Sequence, residues 1–279
     1  MADKSNIALD VKGEQWVSYP RGLDFPKAFA SCYPFRGRGI VSRVLYCMNK
    51  LHLDRVLLPR GRPPNVPQNL LGDVAFFWPS RKRSTDRFYG YRVVGGEIGE
   101  YLKFATADVE RNALRREASN VRKASEFAGT AFNVVTCTGV EDTECLTIAK
   151  YSALPATAKS LPIDEKWLGR VEKARRAISE AGFQHGDFGW HNLKADDDDR
   201  LWILDWEEMD AALPKLTDEV SFYSMLDHYN RGKTVEEVWR SLCRMHSEEA
   251  DELGEAIRSM KKRGIAMGRE LAKYIEEGK

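Results

Sequence analysis

The sequence predicts an α+β chain in two parts, a β-rich half that carries one helix and then a helical half. Three observations point there. Two strand-like runs, RFYGYRVV and EIGEYLKF, flank Gly95-Gly96, whose missing Cβ atoms allow the positive φ angles of a tight hairpin. A single long amphipathic stretch, ADVERNALRREASNVRKASEFAG, separates this hairpin from two further strand-like runs. From Trp167 onward helical periodicity dominates, interrupted by the short apolar run LWILDW. With 279 residues, 43% hydrophobic and 30% charged, the chain has material for a substantial core.

Taken in order, residues 1–70 begin polar and then place Ile40, Val41, Val44, Leu45, Met48 and Leu51 at helical spacing, which predicts a helix. A connector, GRPPNVPQNL, follows, in which Pro63, Pro64 and Pro67 remove backbone donors and disfavour helix before them. It divides an N-terminal extension (1–70) from a β-rich lobe (71–151) and a helical lobe (152–279). VAFFW at 74–78 reads as a strand and 87–104 as the hairpin. In the next segment Leu114, Ala118, Val121 and Ala124 share one helical face, and Gly129 stands where a helix should stop. FNVVTCTGV and ECLTIAKY then complete a sheet. The chain from Val235 reads as almost continuous helix, and no internal repeat is apparent. The acidic run 196–199 lacks the ligand spacing and glycine of a calcium loop, so it reads as a solvated hairpin turn.

A formal charge of +1 offers no global field for nucleic acid. The N-terminus has no signal-peptide core, and no stretch approaches the roughly 18 apolar residues of a membrane span. The five cysteines, Cys32, Cys47, Cys137, Cys145 and Cys243, are an odd number without CxxC spacing, so neither disulfides nor zinc is suggested and a reducing cytoplasm is expected. One region is locally basic. Residues 27–62 hold Lys27, Arg36, Arg38, Arg43, Lys50, Arg55, Arg60 and Arg62 against Asp54 alone, 8 − 1 = +7. Two readings stand: the apolar stripe packs on the core with its charges in water, or the helix makes peripheral contact with an anionic membrane surface.

The stretch FQHGDFGWHNLKADDDDRLWILDWEE, residues 183–208, carries the chemistry. Asn192 follows Asp187 by five positions (192 − 187), the spacing of the protein kinase catalytic loop H-R-D-x-x-x-x-N. Asp205 comes 13 further on (205 − 192), at the end of an apolar strand reached through the acidic turn, so the doubled-back chain can bring its carboxylate beside Asn192. Phosphoryl transfer needs hard oxygen ligands for Mg²⁺ and a carboxylate that orients the attacking hydroxyl and accepts its proton.

HGDFGWHNL followed by ILDWE resembles the HGD-x-x-x-x-N and I-D-W/F-E signatures of the aminoglycoside phosphotransferase and choline kinase superfamily, over roughly residues 74–230. The resemblance implies a bilobal protein-kinase-like fold with ATP bound between the lobes. It implies Asp187 facing the acceptor hydroxyl, Asn192 and Asp205 on Mg²⁺, and adenine at the connection near Lys150 and Tyr151. Lys103, in EYLKF, stands where the family has its phosphate-binding lysine, and Glu117, on the same helical face as Leu114 and Val121, is its expected ion-pair partner. The loop PSRKRSTDR has no glycine, unlike the phosphate loops of protein kinases, which leaves Arg81, Lys82 and Arg83 as candidate phosphate contacts through side-chain charge. A basic N-terminal helix ahead of these motifs is also similar to kinase-like proteins of bacterial surface-polysaccharide assembly.

Each reading has a plainer counterpart. For Asp187, Asn192 and Asp205 it is an Asp/Asn-rich loop followed by an ordinary strand, with carboxylates that cap turns; for Lys103 and Glu117 it is a solvated strand lysine and a surface helix charge. His185 is expected to brace the loop, His191 has no assigned partner, Glu207 either approaches the metal or stabilises the turn, and Asp218 reads as a helix cap. The expected function is ATP- and Mg²⁺-dependent phosphorylation of a small-molecule hydroxyl, a sugar or glycan first. The other class is a non-catalytic nucleotide-binding module.

Overall fold

The computed structural model describes residues 6–11, 14–20, 23–25, 39–53, 74–77 and 86–278. The chain divides into two compact units, Met1–Ala118 with Thr136–Ala156, and Ser119–Val135 with Thr157–Lys279.

The first unit is built on a seven-stranded sheet. Its strands are β1 (Asn6–Val11), β2 (Glu14–Pro20), β3 (Val74–Phe77), β4 (Arg87–Val94), β5 (Glu97–Ala105), β6 (Cys137–Asp142) and β7 (Thr147–Ser152). They lie in the order β1-β2-β3-β4-β5-β7-β6, every neighbouring pair antiparallel. Gly95 and Gly96 turn the β4–β5 hairpin at φ 60° and 84°, the left-handed pair that matches strand twist. Alternation then sorts the side chains. Phe88, Leu102, Phe104 and Ile148 join Val74 and Leu146 in one buried cluster. Tyr101 and Lys103 take the other face of β5.

β1 and β2 are not foreseen from the sequence, which assigns residues 1–38 no element. Their polar residues Asp10, Glu14 and Gln15 dilute the alternation, yet Val17 and Tyr19 are fully buried because β2 pairs with β3. Helix α1 (Gly39–Lys50) forms where the periodicity places it, but its inward side differs from the expected stripe. Leu45 is buried with Val17, Tyr19 and Phe25, and the buried Asn49 amide accepts from Phe25 N and donates to Leu23 O. Val44 and Leu51 are exposed. The Pro-rich connector, Arg81, Lys82, Arg83 and most of the basic run lie outside the described residues.

Helix α2 (Asp108–Phe127) buries Leu114, Ala118, Val121 and Ala124, as its periodicity requires, and Gly129 follows at φ +52°. The second unit holds a small sheet of β8 (Lys159–Ser160), β9 (Leu193–Ala195) and β10 (Leu201–Ile203) in the order β10-β9-β8. Helix α3 (Glu165–Glu180) starts at Asp164, whose carboxylate accepts from Trp167 N at 2.9 Å. Then come α4 (Thr217–Met225), running into a π turn at Leu226–Asn230, α5 (Val235–Met245), α6 (Ala250–Lys262) and α7 (Ala266–Glu276). Thr234 and Glu237 form a capping box on α5. Leu216, Val220, Leu242, Leu253, Ile257 and Leu271 are among the side chains that join these helices in one core. Among the described residues no helix is long and apolar enough to cross a membrane.

The acidic turn between β9 and β10 is not simply solvated. The Asp196 side chain is fully buried, and its oxygens accept from the backbone N–H groups of Asp198 and Arg200, from Arg200 Nε and from Trp202 Nε1, all at 2.9–3.0 Å. Burial pushes the Asp196 carboxyl up, but these donors outweigh it and hold it below the usual range. Asp196→Ala is expected to cost on the order of 1–3 kcal/mol in urea denaturation, against under about 0.5 kcal/mol for the exposed Asp197→Ala. Because the folded pKa is depressed, the stabilisation is present above the unfolded carboxylate value of about 3.9. It is lost as pH falls through the folded pKa, so the gap between wild type and Asp196→Asn should close on acidification.

Candidate active site

The segment ahead of Asp187 has its backbone polar groups committed. Gln184 exchanges both backbone hydrogen bonds with Asp210, and Gly186 adopts φ +88°, open to glycine at little strain. Asp218, on α4, does not cap its helix. Its buried carboxylate accepts from His185 N at 2.6 Å and Gly186 N at 2.8 Å. Burial holds this carboxyl above the usual range, against the pull of the two N–H donors and of Arg263. His185 is fully buried, with Nε2 3.0 Å from Leu204 O and Nδ1 accepting from Asp187 N at 3.3 Å. A carbonyl can only accept, so the proton belongs on Nε2 and the ring is a neutral brace. Its face packs on Trp206 at 4.6 Å.

Beyond Asp187 a short 3₁₀ turn, Trp190–Asn192, swings Asn192 back. Its Nδ2 donates to Asp187 O at 2.9 Å and to Asp187 Oδ2 at 3.2 Å. Both partners are acceptors, so the amide nitrogen must face them and Oδ1 is left as the oxygen for a ligand. His191, which sequence reasoning left without a partner, has Nε2 3.2 Å from Asp187 Oδ2. Burial pushes the Asp187 carboxyl up, but the His191 hydrogen bond opposes it and the carboxyl is held below the usual range. The side chain remains 28% exposed, enough to meet a substrate.

Asp205 joins this group through the β9–β10 hairpin. Leu204 N donates to Asn192 O at 3.0 Å, which sets the next residue beside Asn192, and the Asp205 charge acts on Asp187. Asp205 sits at φ 65°, ψ 62°, a left-handed conformation that Asp tolerates better than most residues and that opens the turn Trp206–Glu208. Glu207, on that turn, brings a carboxylate oxygen within 4.8 Å of one from Asp205. The turn is pinned by Asn120, whose Nδ2 donates to Trp206 O at 2.9 Å and Met209 O at 3.0 Å. Asp187, Asn192 and Asp205 are thus brought together within the second unit.

In the first unit Lys103 Nζ lies 2.6 Å from Glu117 Oε1, with both residues buried. Solvated charges are excluded for this pair. Lys150 and Tyr151 both fall within β7: Lys150 is ion-paired with Glu141 on β6, and Tyr151 is buried with its ring against Tyr101. Both side chains are therefore engaged with neighbouring strands of the sheet.

The elements show an α+β chain, an antiparallel sheet with one helix followed by a helical unit carrying the HGD-x-x-x-x-N loop and the hairpin to DWE. No family model and no curated protein matches the chain. Among solved structures it is similar to one titled a medium resolution structure of the bifunctional kinase-methyltransferase WbdD, at TM-score 0.42 and 18% identity over 68% of this chain and 43% of that one. A co-crystal structure of WbdD and the kinase inhibitor LY294002 gives TM-score 0.43 and 17% identity over 68% and 44%. Monomeric WbdD gives 0.38 and 18% over 48% and 35%. The chain spans less than half the length of these structures.

Removing one member of a buried ion pair strands the other. Glu117→Ala is expected to destabilise the protein by about 3–5 kcal/mol, whereas Lys103→Met with Glu117→Leu should recover most of the loss; thermal or urea unfolding of the three proteins checks this.

Proposed function

We propose that this chain is an ATP- and Mg²⁺-dependent phosphotransferase that acts on a hydroxyl of a small molecule, a sugar or glycan in the first instance. One observation carries the reading: an accessible, ionised Asp187 hydrogen-bonded to Asn192, with Asp205 held next to Asn192 by the hairpin. The donor set suits Mg²⁺, because Asn192 Oδ1, Asp205 and Glu207 are all hard oxygens and the Asn192 nitrogen is committed elsewhere. When bound, Mg²⁺ would neutralise charge on the β- and γ-phosphates.

The chain's own residues do the rest. Asp187 accepts a hydrogen bond from the acceptor hydroxyl, aims it, and takes its proton as the oxygen–phosphorus bond forms and ADP leaves. His191 keeps that carboxylate ionised and oriented. Lys103, held in place by Glu117, is assigned to the α- and β-phosphates. The choice of a sugar or glycan rests on the resemblance to kinase-like proteins of surface-polysaccharide assembly.

A non-catalytic module is the competing reading, and it has no need of a proton acceptor beside two metal ligands. An ADP-release assay with panels of sugars, aminoglycosides and amino alcohols separates the two. Acceptor-dependent release that stops with EDTA is expected, and release with no acceptor in any panel favours the module. Asp187→Asn should lower turnover by about 10²–10⁴ and Asp205→Asn should abolish it, each with an unchanged circular dichroism spectrum; full activity in either refutes the assignment.

A further inference from the structure

Arg263, just after α6, is half-buried and is not used by the proposed chemistry. Its Nη1 donates to the carbonyl of Gly186, 77 residues earlier in the chain. Nη1 packs so closely that a Cβ on Gly186 would lie 2.8 Å from it, and 2.5 Å from Glu208 O. Its Nε and Nη2 are buried and, among the described residues, have no hydrogen-bond partner. Three carboxylates, Glu208, Asp218 and Asp187, act on its charge.

The peptide groups leading into Asp187 are thereby gripped from both sides. Asp218 takes the N–H groups of His185 and Gly186, Arg263 donates to the Gly186 carbonyl, and His185 Nδ1 takes the N–H of Asp187. Of these groups, the Gly186 carbonyl alone is held by a side chain from the C-terminal helices. It belongs to the peptide that carries the Asp187 nitrogen. We propose that Arg263 is a positioning residue for Asp187, which makes the geometry of the phosphoryl-acceptor site depend on the C-terminal helix pair α6–α7. This rests on the phosphotransferase reading for its catalytic consequence, though not for its structural one.

The test uses the full chain with Arg263→Gln, Arg263→Ala and Arg263→Lys, and Lys262→Ala as an exposed neighbour. Two quantities are measured: steady-state kcat and KM for ATP, and amide hydrogen exchange of peptides covering residues 184–190 and α5. Arg263→Gln is expected to lower kcat by about 10- to 100-fold with KM within about twofold, and to speed exchange at 184–190 while α5 is unchanged. Guanidinium ion should restore part of the Arg263→Ala turnover, and Arg263→Lys should retain more activity than Arg263→Gln. Lys262→Ala should match wild type. Unchanged exchange at 184–190 in Arg263→Gln overturns the proposal, as does faster exchange of equal size in α5, which would mark Arg263 as a general stabiliser. If wild type releases no ADP with any acceptor, the functional reading falls while the exchange experiment still decides the role of Arg263.

Discussion

A buried carboxylate governs the candidate site. Asp218 is 1% exposed and accepts the backbone N–H groups of two successive residues, His185 and Gly186. Burying such a group is costly unless it is hydrogen-bonded, and the two N–H donors together with the nearby Arg263 offset part of that cost. The return is positional. The loop enters Asp187 along one path, with the His185 ring packed at a tilt against Trp206. Groups that orient a reacting hydroxyl lose most of their effect when displaced by an ångström, so rigidity just before Asp187 bears directly on what it can do.

The second constraint is the short hairpin that returns the chain to Asn192. Its ladder pairs Leu193 with Ile203, and the Asn192 carbonyl receives Leu204 N, so Asp205 follows at a fixed place. The residue then turns left-handed, a conformation that persists where surrounding structure over-determines it. Here the surroundings are explicit. Asn120 binds two carbonyls of the turn, Trp206 is fully buried against Phe132 and His185, and Asp196 locks the far end of the hairpin.

Much of the secondary structure was legible because it is set locally. The Gly95-Gly96 hairpin, the α2 face and the helical C-terminal stretch follow from turn chemistry and period. Strands β1 and β2 were not legible, since β2 pairs with β3 across a long connection, β1 pairs in turn with β2, and polar residues obscure their alternation. For α1, the true inward side is marked by Asn49, a polar residue that a hydrophobic stripe does not reveal. Helix α4 hid the role of Asp218 for a related reason: Thr217, Asp218, Val220, Ser221, Phe222 and Ser224 are all buried, so no face stands out as the inner one.

The sequence by itself determined the donors and their spacing: an aspartate, an asparagine five residues later, and a second aspartate across a tight hairpin. Such offsets act over one turn and one ladder, where chain geometry leaves little freedom. Only the tertiary structure decided what holds them: Asp218 on the His185 and Gly186 amides, Arg263 on the Gly186 carbonyl, Asn120 under the Trp206 turn. These partners lie 32 to 89 residues from the groups they bind, and no local pattern encodes a contact that exists only once the core has packed.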